Sequence, residues 1–447
     1  MLNALPQGSG PTPPDPPPGP VPGTPGQPPS EPGTKRFLFL QGPISPYFDM
    51  VAAQLRRWGH ATFRINLAGG DRRLWTGPGA TDFVDTPEHW PAFLDTFLDA
   101  HAITDLVLLG EARDYHRHAI TAARVRGIAV AVTDFGYMRP DWITLEHDGM
   151  NGASRFPRDR HSILRLAASL GPPDLVVRFW DSFFNQAIWD MRYSLDTALS
   201  WRFRRYASHQ LHAPIQTYLG MGLRLLLRRA ANRHAARVLA RLQDKGPMFL
   251  LAMQMETDFA LRAYSHYADN DAVIEEVFTS FAGHAPPEAR LLVKVHPLDP
   301  FAKNWGRRVR LAARRHGIAD RVEYLGGGNL GDIVEHCQGV VTVTSTVGIR
   351  ALVERLPTFA LGEALYRIEG LVSPGTLADF WCDPQPPEPE LREAFLRAIS
   401  HYLHVRGAFY RRPGLDAAAY DTAKRLHDGL PEYRSERRVA EGIVPPP

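Results

Sequence analysis

The apolar and polar positions of this chain fall into short apolar runs that end abruptly in polar groups. Each is followed by a stretch with apolar residues three and four apart. Arg36-Phe-Leu-Phe-Leu40 reads as a strand ending at Gln41-Gly42-Pro43, and an amphipathic helix follows through Ala52, Leu55 and Trp58. Gly59-His60 stops that helix, and residues 61–65 form a second strand ending in Asn66-Leu-Ala-Gly-Gly-Asp71. Residues 105–110 give a third strand. A helix over residues 116–126 stops at Gly127, and a strand over 128–133 follows. Alternation of strand and helix, with polar residues just past each strand, predicts an open, mostly parallel α/β sheet.

Residues 180–245 break this rhythm. They read as helical, with Leu223, Leu226, Leu227, Leu239 and Leu242 as apolar positions among arginines. Pro247-Met-Phe-Leu-Leu-Ala-Met253 then opens a second α/β unit. Strands over 291–295, 322–325 and 339–343 alternate there with helices over 272–281, 302–316 and 330–336. A last helix over 388–402 and the chain beyond it are placed to return to the first unit. No fixed-period repeat is present. The expected fold class is α/β and GT-B-like, two Rossmann-like domains facing a central cleft with a helical insertion. Its segments are a tail (1–34), a first domain (35–180), a basic helical region (181–245), a second domain (246–390) and C-terminal helices with a tail (391–447). The fold by itself does not choose a reaction.

Composition changes the picture in three places. Residues 1–34 carry about a third of the 39 prolines, and such a segment buries almost nothing, which predicts a disordered polyproline-like tail. No apolar run reaches the roughly 18–20 residues of a membrane span, and no charged-then-apolar leader opens the chain, so secretion by a standard signal is not expected. The two cysteines, Cys337 and Cys382, have no metal-ligand spacing, so a disulfide framework is disfavoured and a reducing cytoplasm fits. Net charge is only +3. Arginines nevertheless cluster at 202, 204, 205, 224, 228, 229, 233 and 237, a pattern that suits either a solvated helix face or an anionic surface.

The chemistry gathers at strand ends. Leu291-Leu-Val-Lys-Val-His-Pro delivers Lys294 and His296, and Pro297 halts the strand. Val340-Val-Thr-Val-Thr-Ser-Thr-Val-Gly348 delivers Thr344, Ser345 and Thr346 at the start of a helix. Two potential cations, hydroxyls and free backbone N–H groups at one sheet edge suit a phosphate. A lone histidine there is more often structural; the lysine and the distant Ser/Thr turn shift the balance toward an anion site. Two carboxylates follow strands in opposite halves: Asp134, before Gly136 and Arg139, and Asp258 in Gln254-Met-Glu-Thr-Asp258. An aspartate in such a place is also an ordinary turn or cap residue. Glu146 reads equally as a surface carboxylate and Asn151 as a turn residue. No Gly-x-x-x-x-Gly-Lys and no G-x-G-x-x-G after a strand occurs, which speaks against nucleotide hydrolysis and dinucleotide redox chemistry.

Seven segments in order, spanning most of residues 36–411, resemble one family. They are Leu40-Gln-Gly-Pro43, Ile65-Asn-Leu-Ala-Gly-Gly-Asp71, Gly136-Tyr-Met-Arg-Pro-Asp-Trp-Ile-Thr-Leu-Glu146, Gly149-Met-Asn151, Lys294-Val-His-Pro-Leu-Asp299, Thr344-Ser-Thr-Val-Gly348 and Gly407-Ala-Phe-Tyr410. The set is similar to the capsule polysaccharide β-Kdo transferases of Gram-negative bacteria, the KpsS/LipB type. The resemblance implies a CMP-Kdo donor and a lipid acceptor, phosphatidylglycerol or its lyso form, that receives the first β-Kdo of a capsule linker. It implies retention through a covalent glycosyl–enzyme adduct, with Asp258 at the nucleophile position and Asp134 at the acid/base position. His296 and Lys294, with Ser345, Thr346 and Gly348, would hold the departing cytidylate. Gln41, Asn66, Asp71, Arg139, Glu146 and Asn151 would line the acceptor side. The chain departs from the family pattern at Asp134, where Glu is usual, and at Leu67-Ala68, where Asn-Gly-type residues are usual. The shorter Asp134 side chain puts the acid/base role in question.

No cofactor and no metal are expected, since CMP-sugars ionise without one. A lipid acceptor implies a protein held on the cytoplasmic face of the inner membrane, with the basic region and Trp201, Phe203 and Tyr206 as its contact. A companion Kdo transferase and the capsule export machinery are the implied partners, and nucleic acid is not. Two alternatives remain at this level: another CMP-sugar transferase of sialyltransferase-like type, and a non-catalytic export scaffold that keeps the fold.

Overall fold

A computed structural model of the chain describes residues 33–208, 214–243, 245–256, 258–299 and 303–433. The expected proline-rich tail therefore lies outside the described residues except for its last two positions, as does the Leu223 side chain. Among the described residues, twelve strands form two sheets. The first contains β1 (Arg36–Phe39), β2 (Ala61–Asn66), β3 (Ala80–Asp82), β4 (Asp105–Leu109), β5 (Ala129–Phe135), β6 (Trp142–His147) and the late β12 (His404–Arg406). The second contains β7 (Met248–Ala252), β8 (Arg290–Lys294), β9 (Val322–Leu325), β10 (Gly339–Thr342) and β11 (Thr358–Ala360). Their orders are β12-β6-β5-β4-β1-β2-β3 and β11-β10-β7-β8-β9. The second sheet is wholly parallel, as are β1 to β5 of the first.

Both sheets thus run outward in the same doubly wound order from their first strand. In such sheets ligands bind at the carboxyl edge where the winding reverses, between β1 and β4 in one half and β7 and β10 in the other. The architecture is the α/β, GT-B-like arrangement that the alternation predicts.

The strands read as unbroken apolar runs because both faces are buried. In the second sheet Phe249, Leu251, Leu291, Val293 and Val341 enter one core with Val277, Phe281 and Trp381. Met248, Leu250, Ala252, Leu292 and Val340 enter another with Val238, Leu239 and Leu242. Those last three belong to the helix Pro214–Leu242, so the C-terminal end of the basic insertion roofs one face of the second sheet. The chain end does return. β12 pairs antiparallel with β6, and helix Gly414–Asp428 sends Leu415, Ala418 and Leu426 into the core beneath Phe37 and Phe39. One further core joins the halves, with Met150, Phe156 and Ile163 packed in the same cluster as Ile349, Leu352 and Tyr366.

Candidate active site

Register brings the second sheet's polar residues level. Ala252 lies opposite Lys294, and Val341 opposite Leu251. A few residues on, Gln254, His296 and Thr344 leave adjacent strands side by side. Gln254 is buried and ties this edge together. Its amide donates to Thr344 Oγ1 (3.0 Å) and Asp258 Oδ2 (3.3 Å), while its Oε1 accepts the Thr344 N–H (2.7 Å). Asp258 also caps the short helix Phe259–Ala263, its Oδ1 accepting the Ala260 N–H at 3.0 Å. It remains exposed toward the cleft. Ser345 and Thr346 are half-buried at the head of helix Val347–Val353; the Ser345 hydroxyl accepts the Val347 N–H (3.2 Å).

Lys294 is 6 % exposed, and its ammonium donates to the Val295 carbonyl at 3.1 Å. Among the described residues no carboxylate pairs with it. Burial, with the nearby Arg224 charge, pulls its pKa down to about 8. A buried ammonium lacking a counter-ion is costly in the empty site, and an anion placed beside it would relieve that cost. Sequence reasoning missed Arg224, which comes from the long helix and donates to the carbonyls of His296 and Asp299. Its only sequence signal was membership of the arginine stripe.

His296 is corrected in one respect. Burial, then the charges of Arg139, Lys294 and Arg224, lower its pKa to about 4, so it is a neutral donor and not a second cation. Its Nδ1 accepts the Leu298 N–H at 3.1 Å, which leaves the ring proton on Nε2.

The first sheet brings Asp134 to the same cleft at the end of β5. One oxygen accepts the Phe135 N–H at 2.7 Å. Burial raises its pKa, opposed by that N–H; the charge of Asp258 raises it further, against Arg139 and Arg113. The two candidate carboxylates therefore feel each other across the cleft. Arg139 interacts electrostatically with both: it responds to Asp134, Asp258 and Asp181, its charge acts on His296, and its guanidinium stacks 4.7 Å from the Phe135 ring centre. Its side chain is open to solvent.

Glu111, just past β4 at the first sheet's switch point, was not singled out in the sequence. It accepts a hydrogen bond from the Tyr264 hydroxyl of the other half, and its Oε2 is buried without a partner. Burial raises its pKa to about 7, and the charge of Asp134 adds to that. A glycine before a lone glutamate gave no periodic signal.

Several expected acceptor-side residues lie elsewhere. Gln41, Asn66 and Asp71 are at most 3 % exposed. Asp71 is saturated by Arg64 (3.2 Å), the Leu67 and Ala68 N–H groups (2.9 Å each) and the Tyr193 hydroxyl. Gln41 donates to Asp71, Tyr193 and Tyr206, and Asn66 donates to Asp82. They are wall and not lining, because a buried polar group must have its partners in place. Glu146 is likewise wholly buried. Tyr137 (2.7 Å) and Ser154 donate to it, and burial lifts its pKa to about 8. Gly348 is pressed against the Tyr366 ring, where any Cβ would collide, so its part is packing. Asn151 takes a positive φ of 47°. Its carbonyl accepts from Arg158 (2.7 Å), which also donates to the Ala364 carbonyl (2.8 Å) of the other half.

Residues 104–410 match the family model of capsule polysaccharide biosynthesis proteins. The chain belongs to that family. It is 29% identical over 385 residues to the capsule polysaccharide export protein KpsS of Escherichia coli, covering 84% of this chain and 97% of that one. It is 28% identical over 388 residues to the capsule polysaccharide modification protein LipB of Neisseria meningitidis serogroup A, covering 84% and 92%. Among solved structures, it is similar to the β-Kdo 2,7 transferase of Thermosulfurimonas dismutans KpsC, with a TM-score of 0.43 and 12% identity over 88% of this chain and 99% of that one.

The family-model match begins just before β4 and takes in Glu111, Asp134, Arg139, Asp258, Lys294, His296 and Ser345, while the match to the two relatives extends further toward the N-terminus. Gln41, Asn66 and Asp71, which the structure places in the wall, precede the family-model match. Among the described residues one carboxylate trio is close enough to hold a metal: Glu256, Asp269 and Asp271. The Lys303 ammonium already sits among them at 2.7, 3.3 and 2.8 Å and serves as their counter-ion.

Proposed function

We propose that this capsule-synthesis protein is a glycosyltransferase that moves β-Kdo from CMP-Kdo to a phosphatidylglycerol-type lipid, with retention. The observation that supports this reading best is the polar edge of the second sheet. There buried Gln254 ties Asp258 to Thr344 beside the buried Lys294, which has no carboxylate partner among the described residues, and the charge of Asp258 acts on Asp134 of the first sheet. The choice of sugar and acceptor rests on the family resemblance.

In the first step Asp258 attacks the anomeric carbon of Kdo, the carbon–oxygen bond to phosphate breaks, and CMP departs with the electron pair. Lys294 and the Nε2–H of His296 stabilise charge on the leaving phosphate, an electrostatic contribution made by groups already in position. In the second step the acceptor hydroxyl displaces Asp258, giving up its proton to Asp134. Two inversions give retention. The raised pKa of Asp134 suits it to take a proton in the second step, and the charge of Arg139 holds that rise in check. The lipid substrate puts the protein at the inner-membrane surface, beside a companion transferase and the export machinery.

The test is incubation of the full chain with CMP-Kdo generated in situ and a phosphatidylglycerol analogue. The expected product is heavier by one Kdo. Asp258→Asn should abolish transfer while leaving thermal unfolding unchanged; transfer that persists in this variant overturns the nucleophile assignment. Transfer of sialic acid from its CMP donor in place of Kdo would instead favour the other CMP-sugar reading.

A further inference from the structure

The helix Phe183–Leu199 is built inside out. The side it turns to the protein is mostly polar, apart from Trp189, which packs on the core of the first sheet. The Tyr193 hydroxyl donates to Asp71 (3.2 Å) and accepts from Gln41 (3.1 Å), Thr197 Oγ1 accepts the Gly70 N–H (3.0 Å), Asn185 donates to the Tyr410 carbonyl (3.1 Å), and Arg73 donates to Asp196 (2.8 Å). Its docking needs a surface without side chains: a Cβ on Gly69 would meet the Asp196 carbonyl, and one on Gly70 the Tyr193 ring. None of the helix's 17 residues is buried. The side it turns outward is apolar, with Phe184, Met191, Leu195 and Leu199 exposed by 72, 51, 58 and 73 %. At 100° per residue these four fall on one stripe, and Trp180 (64 %) and Trp201 (79 %) stand exposed beyond its two ends. A helix of a water-soluble surface shows the reverse pattern.

We infer that this stripe lies in the plane of an anionic lipid bilayer. Charge decides for lipid. The three carboxylates of the segment turn inward: Asp181 accepts from Phe409 and Tyr410 N–H, Asp190 acts on Tyr410, and Asp196 pairs with Arg73. Exposed arginines remain around the stripe, Arg192 on the helix and Arg204 after it, while Arg178 and Arg202 nearby already pair with Asp174 and Asp82. An apolar strip about 25 Å long, tipped by indoles and rimmed by guanidinium groups, matches acyl chains beneath anionic headgroups. A second copy of the chain docked there would bring two cationic rims together. No helix among the described residues is long and apolar enough to cross a membrane, so the helix lies on it. The arginines from 202 to 237 are less suited to that contact than the sequence suggests. Arg202 and Arg205 pair with Asp82 and Asp85, Phe203 is buried, and Arg224 holds the His296 loop.

The inference stands apart from the transfer reaction, yet it adds a route. Asp181, just before the helix, acts with Asp134 and Asp258 on the same arginine, Arg139, so a lipid-borne hydroxyl at this surface would approach the two carboxylates from the side of the helix. The test uses the full chain and vesicles of phosphatidylcholine with and without phosphatidylglycerol. Wild-type protein is expected to sediment with the anionic vesicles. Leu195→Asp with Leu199→Asp should weaken that binding by more than about tenfold, with circular dichroism and melting temperature unchanged. Arg192→Glu, which cannot disturb the core, should weaken it on anionic vesicles alone. Brominated lipid should quench wild-type tryptophan fluorescence, and Trp180→Phe with Trp201→Phe should remove most of the quenching. Unaltered vesicle affinity in the leucine and arginine variants overturns the inference. So does a dimer in light scattering that the leucine variant splits while no vesicle binding is seen.

Discussion

Lys294 and His296 leave the same strand end two residues apart, and burial treats them differently. Removing water penalises a charge, so the imidazole gives up its proton while the ammonium keeps its own to about pH 8. The free site therefore loses its cation as pH rises through that value, and donor affinity should fall with it. We expect the KM for the CMP-sugar to climb between about pH 7 and pH 9 in the wild type. Lys294→Met should raise it about tenfold or more at neutral pH and flatten that dependence, since no titrating cation remains. A steady-state pH series on both proteins decides; a limb that persists in the methionine variant assigns it to another group. Glu146 shows the opposite sign. Its carboxyl titrates near 8 in the folded chain against an ordinary 4.5, so the folded state holds the proton more tightly than the unfolded state. Its contribution to stability is therefore greatest below about pH 4.5 and is lost as pH climbs toward 8. Glu146→Gln keeps the acceptor for Tyr137 and removes the titration. The variant should gain on the order of 1 kcal/mol or more relative to wild type between pH 5 and pH 8, measured by denaturant unfolding at both values.

At the scale of elements, glycine decides which pieces can touch. Gly69 and Gly70 let the Phe183–Leu199 helix approach until Tyr193 reaches Asp71, and Gly348 lets the Val347–Val353 helix sit on Tyr366. Gly70→Ala should lift the helix from the wall at a cost of about 1–3 kcal/mol, read as a lower melting temperature with new proteolytic cleavage within residues 180–208. An unchanged digest would mean that Tyr193 finds another seat. The same contacts explain what was legible in the sequence. Apolar runs ending in Gln41, Asp134, Gln254, Lys294 and Thr344 announce strands buried on both faces, because a parallel sheet needs nothing but apolar side chains until its edge. Hence both doubly wound sheets and the strand-end location of Asp134 and Lys294 could be read directly, while Asp258 sits beyond β7 as a helix cap. Which strand-end residue faces a ligand depends on what later packs against that end. The inverted helix covers Gln41 and Asp71 from more than a hundred residues away, and no local pattern foretells it. Arg224, arriving from the insertion, and Glu111, whose environment is made by Tyr264, were hidden for the same reason.

Seen whole, the two sheets are joined by an apolar core and by few polar links, and one of these reaches the chemistry. Tyr264 follows the short helix that Asp258 caps, and its hydroxyl donates to Glu111 at the switch point of the opposite sheet. Burial holds the proton affinity of Glu111 high, and the charge of Asp134 adds to it. The link thus couples the loop bearing the candidate nucleophile to the neighbourhood of the candidate base. If that coupling positions the two carboxylates, Tyr264→Phe should lower kcat about 10–100-fold, the equivalent of one hydrogen bond to a charged group realised in the transition state. Donor KM should change little, because Lys294 and His296 are untouched. Glu111→Gln should cost a similar factor. The pair then separates positioning from mere packing: in a double-mutant cycle the combined variant should be hardly worse than either single one, since both remove the same contact. Fully additive losses in kcat would show that Glu111 and Tyr264 act separately and that the halves are set by their shared apolar core alone.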